Sequence, residues 1–328
     1  MPLYCQGKIA DLLFLLPLLL IAMAPSSSIV AAAASSLKLS GQRVLVTGSG
    51  RGIGRAIAVI CHKHGANVAI TSRTESELME TKSAMISATE QYLAESNKNS
   101  GDEDNCEDEP KSRDHSILIQ TTDVTNTEQV EQMVKTVVDA WGGIDILVNN
   151  AGCSQPTKGP ADTLDADDFT SLLQLNVVAV QRVTSAVVRQ AMRQQKHGAI
   201  INISSKAGKV GLPNNSFYVA SKFALEGLTA SWAAELADAG ITVNSISPGM
   251  VNTQSFPKPP GRKGVRSAES IEDGLLFLMT EIGRDLTGQY MHVDEYDEVL
   301  RRTLPPELAL KTINEANFVD SLRPERLN

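Results

Sequence analysis

From Lys38 onward, short apolar runs alternate with longer stretches in which apolar residues recur every three or four positions. The short runs are rich in valine and isoleucine and predict seven strands, at residues 44–46, 68–70, 117–119, 144–148, 199–203, 242–246 and 290–293. The periodic stretches predict helices at residues 128–141, 169–194, 218–239 and 268–280. Strands that alternate with helices build parallel sheets, so we expect one α/β domain over residues 37–299. It would have a doubly wound, seven-stranded parallel sheet with helices on both faces. A charged tail, residues 300–328, follows it.

The N-terminus carries a separate apolar run, residues 12–24, interrupted only by Pro17. A helix needs about 20 apolar residues to cross a bilayer, so the run favours the hydrophobic part of a signal peptide within residues 1–36. Cleavage would follow Ala24 or, with a cleaner pattern, Ala34. This predicts entry into the endoplasmic reticulum and secretory route. An uncleaved membrane anchor and the second half of a bipartite plastid presequence are the alternatives.

Charge and cysteine content narrow the function classes. The net charge of −8 lacks the basic surface that nucleic-acid binding requires. Much of the negative charge lies in residues 95–115, which we expect to be a disordered acidic insertion in the domain. A calcium loop is the alternative, although Asp102, Glu103 and Asp104 lack its register. The 4 cysteines contain no CxxC pair, so neither a metal site nor a disulfide framework is indicated.

A glycine-rich turn directly follows the first predicted strand, with Gly48, Gly50, Gly52 and Gly54 ahead of a helical pattern from Arg55. Glycines in such a turn allow phosphate to approach the amides at a helix N-terminus, where the helix dipole favours anions. Strand, turn and helix in this order are the context of a dinucleotide-binding site. The sequence therefore predicts that a pyrophosphate binds here.

The end of the second strand indicates which dinucleotide is bound. An acidic residue at this point would bind the ribose 2′-hydroxyl of NAD and repel a 2′-phosphate. This chain has Ser72 and Arg73 instead, and Arg51 in the glycine turn adds a second cation. Guanidinium groups bind phosphate bidentately, so the sequence favours NADP(H) over NAD(H).

Further along, polar residues follow the ends of the predicted strands in a recognisable order. Asn149, Asn150, Ala151 and Gly152 close the fourth strand, Asn176 lies in the next helix, and Ser205 ends the fifth strand. Tyr218 and Lys222 follow in a YxxxK motif, and a Ser-Pro-Gly at residues 247–249 follows the sixth strand. With TGxxxGxG in the glycine turn, this ordered set resembles the short-chain dehydrogenase/reductase family, which has a Rossmann-type fold. The resemblance extends from about Lys38 to Val293.

The resemblance implies an oxidoreductase that interconverts a carbonyl and a secondary alcohol. Tyr218 would be the general acid or base, and the Lys222 ammonium would lower its pKa. Ser205 would hold the substrate oxygen and Asn176 a proton-relaying water. The residues expected to contact the cofactor are Gly48, Ser49, Arg51, Gly52, Ile53, Gly54, Ser72, Arg73, Asp123, Val124, Asn150, Ala151, Gly152, Tyr218, Lys222, Pro248, Gly249, Val251 and Thr253. A non-catalytic NADPH-binding scaffold or sensor is the alternative function.

Two departures from the family pattern bear on substrate and assembly. The stretch after Thr253 is rich in proline and glycine, so an open loop is expected where a helical lid is common. Lys258, Arg262, Lys263 and Arg266 make this loop basic, which favours a bulky or anionic substrate such as a 3-oxoacyl, lipid or steroid-like carbonyl compound. The chain after the last strand differs from the family's Val-Asp-Gly-Gly, so a homodimer or homotetramer would pair through the long helices.

Overall fold

Seven strands form one parallel sheet in the computed structural model, which describes residues 38–99, 115–280 and 286–293. The strands are β1 (Arg43–Thr47), β2 (Asn67–Ser72), β3 (Ile117–Thr121), β4 (Ile146–Asn149), β5 (Gly198–Ile203), β6 (Ile241–Ser247) and β7 (Tyr290–His292). Their order across the sheet is β3-β2-β1-β4-β5-β6-β7. The predicted Rossmann-type α/β fold is confirmed.

Six main helices pack on the two faces of the sheet in the described part of the chain. They are α1 (Gly52–Lys63), α2 (Glu75–Asn99), α3 (Thr127–Trp141), α4 (Ala166–Gln195), α5 (Ser216–Leu236) and α6 (Glu272–Met279). By length and composition alone α4 could cross a membrane, but half of its most apolar window is buried in the fold, as in a core helix. Two π-helical turns interrupt α4, at Gln174–Val178 and Val188–Met192.

Alternating side chains of each strand supply two separate cores. Val44 and Val46 of β1 pack with α1, α2 and α6 on one face, whereas Leu45 packs with α3, α4 and α5 on the other. Successive strand residues point to opposite faces, so a strand covered on both sides is apolar throughout. This explains the uninterrupted Val-Leu-Val run of the sequence.

The structure corrects several predicted boundaries. The first helix begins at Gly52 and not at Arg55, so two glycines of the turn belong to its first turn. Strand β4 begins at Ile146, since the Ile144 backbone hydrogen-bonds to the Gln195 side chain and not to a neighbouring strand. The sixth helix begins at Glu272, after a 3-10 turn at Ala268–Ile271.

The acidic insertion was predicted to start at residue 95, which is wrong because α2 continues to Asn99. Most of that segment, with the calcium-loop alternative, lies outside the described residues. So do the N-terminal signal segment and the charged tail.

The order of the strands determines where a ligand can bind. Strands β1 and β4 are neighbours, while the chain leaves β1 toward β2 and leaves β4 toward β5, on opposite sides. In such sheets a crevice opens beyond the carboxyl ends of the two strands. The glycine turn after β1 and the residues after β4 and β5 meet at this edge.

Candidate active site

The glycine turn is packed so tightly that only glycine fits at several positions. A Cβ on Gly54 would lie 2.2 Å from the Gly48 carbonyl oxygen and 2.4 Å from Nδ2 of Asn150. Gly48 and Gly52 have φ angles of +64° and +57°, in the left-handed region. Atoms of Asn150, after β4, and the backbone of the turn itself therefore leave no room for a side chain at Gly54.

Hydrogen bonds from β4 hold the same turn. Nδ2 of Asn150 donates to the carbonyl oxygens of Thr47, at 2.9 Å, and Gly48, at 3.0 Å. The Thr47 hydroxyl in return accepts from the backbone amides of Asn150 and Ala151. Strand ends β1 and β4 are thus tied together at the base of the cleft.

The start of α1 fits an anionic group. Its N-cap residue, Arg51, makes no side-chain capping hydrogen bond, and the first turn carries no acidic residue. The first amides of a helix need partners from outside the helix, and the dipole there favours negative charge. The helix N-terminus without an acidic residue and the glycine turn without side chains together suit the pyrophosphate of a dinucleotide.

A cleft of about 350 Å³ extends from this turn to the ends of β2 and β3. Most of the predicted cofactor residues line it: Gly48, Arg51, Gly52, Ile53, Gly54, Ser72, Arg73, Asp123, Val124, Asn150, Ala151, Gly152 and Thr253. Ser49 does not. Its side chain is buried and bonds to the Thr71 backbone, so it fastens the turn to β2 from behind.

Asp123 is held in its ionised form at the far end of this cleft. Its carboxylate accepts hydrogen bonds from the amide and hydroxyl of Thr125, at 2.9 and 2.7 Å. These bonds, with the nearby Arg73 and Arg182, lower the pKa of Asp123. It therefore presents a hydrogen-bonded carboxylate where the adenine end of a dinucleotide would lie.

Sequence reasoning missed Glu77, which also lines the cleft. This residue comes from the first turns of α2, and its carboxylate forms an ion pair with Arg51 at 3.2 Å. The same guanidinium nitrogen donates to the Gln254 side chain at 2.8 Å. The cleft therefore contains a carboxylate from α2 although the end of β2 has none. Arg51 is paired with this carboxylate and is not a free cation.

Beyond Gly152 the cleft continues into a second cavity of about 530 Å³. Ser205, Tyr218 and Lys222 line it, together with Pro248, Gly249 and Val251 from the predicted set. Ser205 lies close enough to Tyr218 for its hydroxyl to lower the pKa of the phenol. Lys222 is buried one turn further along α5, with Nζ 5.8 Å from the centre of the Tyr218 ring. Three of the four side chains that the sequence predicted to act together are brought together in this cavity.

The electrostatics differ from the expectation that Lys222 makes Tyr218 more acidic. Burial raises the pKa of Tyr218 to about 12, although the Ser205 hydrogen bond opposes the shift. Burial also lowers the pKa of Lys222 to about 8, against the effect of Glu226. Desolvation penalises both charged forms, and for Lys222 it outweighs the charge of Glu226. At neutral pH the phenol is protonated and can donate a proton.

Asn176 lines neither cavity. The first π-helical turn of α4 carries it, and its side chain binds the Cys153 backbone in both directions, at 3.0 Å. It also donates to the Ser221 hydroxyl at 3.2 Å. These contacts fasten the loop after β4 to α5 beside Lys222. The partners of the Asn176 side chain are thus Cys153 and Ser221. Its role in holding a proton-relaying water stays a prediction.

Two further residues position the reactive helix and were not singled out from the sequence. Gln155 is buried, and its side-chain oxygen accepts from the amides of Phe217 and Tyr218 at the start of α5. Glu226, one turn beyond Lys222, accepts from the hydroxyls of Ser204 and Ser245. Together they tie α5 to the loop after β4 and to strands β5 and β6.

The loop after β6 forms the outer wall of the second cavity. No helix occurs in residues 250–267, so the predicted replacement of a helical lid by a loop is confirmed. The Phe256 ring meets the Tyr218 ring edge-on, with 5.9 Å between ring centres. Among the loop cations, Lys258 and Arg262 line the cavity, while Lys263 does not.

Comparison with known proteins decides the family. The profile described as short chain dehydrogenase matches residues 42–108 and 91–260. The chain belongs to the short-chain dehydrogenase/reductase family. Enzymes of this family use NAD(P)(H) and typically act on small carbonyl and alcohol compounds, so this chain is an oxidoreductase.

Individual relatives agree with this assignment. The 3-oxoacyl-[acyl-carrier-protein] reductase of Vibrio cholerae is 30% identical over 79% of this chain and 98% of its own. That of Synechocystis is 32% identical over 78% and 96%. A short chain dehydrogenase from Mycobacterium paratuberculosis, solved bound to NAD, is 26% identical with a TM-score of 0.65, over 78% of this chain and 97% of that one.

Proposed function

We propose that this enzyme is an NADPH-dependent reductase of ketones, acting on a 3-oxoacyl, lipid or steroid-like carbonyl compound. The observation that carries the proposal is the grouping of Ser205, Tyr218 and the buried Lys222 in the second cavity, which opens from the cleft beside the glycine turn. When bound in the cleft, the nicotinamide supplies the hydride. The chain's own residues orient the carbonyl and supply the proton.

In this proposal each side chain has a separate task. The Ser205 hydroxyl holds the carbonyl oxygen next to the Tyr218 phenol, which donates its proton to that oxygen as negative charge develops. The Lys222 ammonium stabilises the phenolate that is left behind. Nζ of Lys222 donates to the Ile203 carbonyl oxygen at 2.8 Å, which fixes the charge between β5 and α5. Asn176 holds the Cys153 backbone in place beside them.

The proposed preference for NADPH rests on Ser72 and Arg73 at the end of β2. Arg73 is exposed and forms no ion pair among the described residues, so it can bind a 2′-phosphate. Arg51 would contribute once the phosphate competes with Glu77 for it. In the described residues of the cleft, no acid occupies the end of β2 itself.

The test is a screen of ketones, aldehydes and 3-oxoacyl thioesters with NADPH and NADH, on the full chain and on Tyr218→Phe. We expect turnover with NADPH and a loss of about a thousandfold in kcat for Tyr218→Phe, with NADPH binding retained. Tyr92→Phe makes the same chemical change on α2, outside both cavities, and should leave turnover intact. NADPH binding with no turnover of any compound would instead favour the scaffold or sensor function.

A further inference from the structure

The second cavity has an unusual charge composition for an acidic protein. Five basic residues line it: Lys158, Lys206, Lys222, Lys258 and Arg262. No aspartate or glutamate is among its lining residues in the described part of the chain. The chain as a whole carries a net charge of −8, so this concentration of positive charge is local.

Three of these cations stand together at the outer rim. Lys158 belongs to the loop after β4, and Lys258 and Arg262 to the loop after β6. Partial burial lowers the pKa of Lys258, and the like charges of Lys158 and Arg262 lower it further. Within the described residues none of the three forms an ion pair. Like charges gathered without a counter-ion cost free energy, and an anion bound between them would remove that cost.

The rim is close to the reaction centre along one defined path. Nζ of Lys258 lies 5.9 Å from the centre of the Phe256 ring, and that ring lies 5.9 Å from the Tyr218 ring. The Phe256 ring is therefore a neighbour of both the cation and the phenol ring. A substrate whose carbonyl meets Tyr218 can therefore extend past Phe256 toward Lys258.

We propose that Lys158, Lys258 and Arg262 form a subsite for a phosphate or carboxylate group of the substrate, with Phe256 covering the apolar link to the reacting carbonyl. This subsite rests on the proposed reductase function, which it makes more specific. The proposed subsite includes only two of the loop cations that the sequence analysis grouped together, Lys258 and Arg262. Lys263, in the same loop, is exposed and lies outside the cavity lining, so it provides an internal control.

The first experiment compares two thioesters that differ in charge. Acetoacetyl-coenzyme A carries phosphates, whereas the acetoacetyl thioester of N-acetylcysteamine has the same reacting group and no charge. In the double variant Lys258→Gln/Arg262→Gln, we expect kcat/KM for the coenzyme A thioester to fall at least about tenfold, mainly through KM. The loss for the neutral thioester should be several times smaller. Lys263→Gln should change neither.

A carboxylate arm distinguishes the two sources of negative charge. The pair is 4-oxopentanoate and its methyl ester, tested on the same variants. A loss confined to coenzyme A assigns the subsite to phosphate, and a loss confined to 4-oxopentanoate assigns it to carboxylate. Equal losses for charged and neutral partners in both pairs would overturn the subsite.

A binding measurement separates this inference from the proposed function. Calorimetry on Tyr218→Phe, with NADPH present, gives the Kd of acetoacetyl-coenzyme A without turnover. We expect Lys258→Gln/Arg262→Gln to weaken that Kd by at least about tenfold, and 0.5 M salt to do the same in the parent protein. If no carbonyl compound is reduced but this binding difference persists, the reductase proposal fails and the anion subsite stands. An unchanged Kd would reject the subsite even in an active enzyme.

Discussion

The two cavities that meet at Ile53, Asn150, Gly152 and Phe256 are built in opposite ways. The cofactor cleft lies on the ends of β1 and β4, its turn is held by side chains of both strands, and its cation Arg51 already has Glu77 as a counter-ion. The substrate cavity is closed by an irregular loop, and its rim cations have no acidic partner among the described residues.

We infer from this difference that the fold itself supplies the interactions that hold the glycine turn, whereas a ligand must supply those that the rim of the substrate cavity lacks. A cation that already has a counter-ion in the fold, as Arg51 has in Glu77, can accept a ligand by exchanging partners. A rim of unpaired cations gains its missing interactions only from a ligand. The cofactor half should therefore respond to mutation through stability and cofactor affinity, and the substrate half through KM for charged substrates.

Among the variants that compare the two cavities, the largest expected effect comes from filling the glycine turn. In Gly54→Ala the new methyl would overlap the Gly48 carbonyl, so the turn must shift away from the pyrophosphate. We expect NADPH binding to weaken by about 100-fold and the free energy of unfolding to fall by about 2 kcal/mol. Isothermal calorimetry and urea unfolding measure the two quantities.

Gly227→Ala is the matched control, because a Cβ at this position of α5 meets no atom within 4 Å. It should leave binding unchanged and stabilise the helix by up to about 1 kcal/mol. Comparable losses in both variants would show that the turn is not sterically determined.

The next effect concerns Lys222, which lines the second cavity. Its pKa is lowered from 10.5 to about 8 by burial, against the charge of Glu226. The ammonium is therefore lost as pH rises through about 8, and the rate of carbonyl reduction at saturating NADPH should fall by about tenfold per pH unit above that value.

Stability should respond to Lys222 in the opposite direction. Because its folded pKa is depressed, the neutral amine is favoured in the fold. The destabilising contribution is present below pH 8 and disappears as pH rises toward 10.5. Thermal unfolding measured at each pH thus shows whether a fall in the rate comes from loss of the Lys222 charge or from unfolding of the protein. A rate that stays constant up to pH 10 would contradict the assigned role.

The same contrast explains how far the sequence could predict the molecule. Strand periodicity, the glycine turn and the Tyr218–Lys222 spacing are local patterns, and the sheet and the reaction centre followed from them. Glu77 could not be found in this way, since only the packing of α2 against the turn brings its carboxylate to Arg51. Lys158 joins Lys258 and Arg262 across about 100 residues of chain, so no local signal marks their proximity.

The pKa of Tyr218 was missed for a related reason. The sequence shows the nearby Lys222 but not how completely the fold buries both groups, and burial is the larger influence. Gln155 likewise has no recognisable capping pattern, because it lies about 60 residues before the helix it caps.

A smaller effect compares the same truncation in both halves. Asn150→Ala removes two hydrogen bonds that hold the glycine turn, whereas Asn252→Ala removes one, to the Lys258 amide, in the exposed loop. We expect Asn150→Ala to weaken NADPH binding by about tenfold and stability by about 1–3 kcal/mol. Asn252→Ala should cost under about 0.5 kcal/mol and leave NADPH binding unchanged. Equal losses of stability in the two variants would contradict the view that the glycine turn is held more firmly than the loop after β6.

The smallest effect tests whether the counter-ion of the cofactor cleft also selects the cofactor. Glu77→Gln removes a carboxylate next to Arg51 while keeping its size, so a 2′-phosphate no longer competes with it. The pair is partly exposed, and we expect the ratio of Kd values for NADH and NADPH to move toward NADPH by about three- to fivefold. Glu80→Gln, on the same helix, breaks an ion pair with Arg55 outside the cleft lining and should leave the ratio unchanged. If Glu77→Gln weakens both cofactors equally, the ion pair only holds the glycine turn, and the preference for NADPH must rest on Ser72 and Arg73 alone.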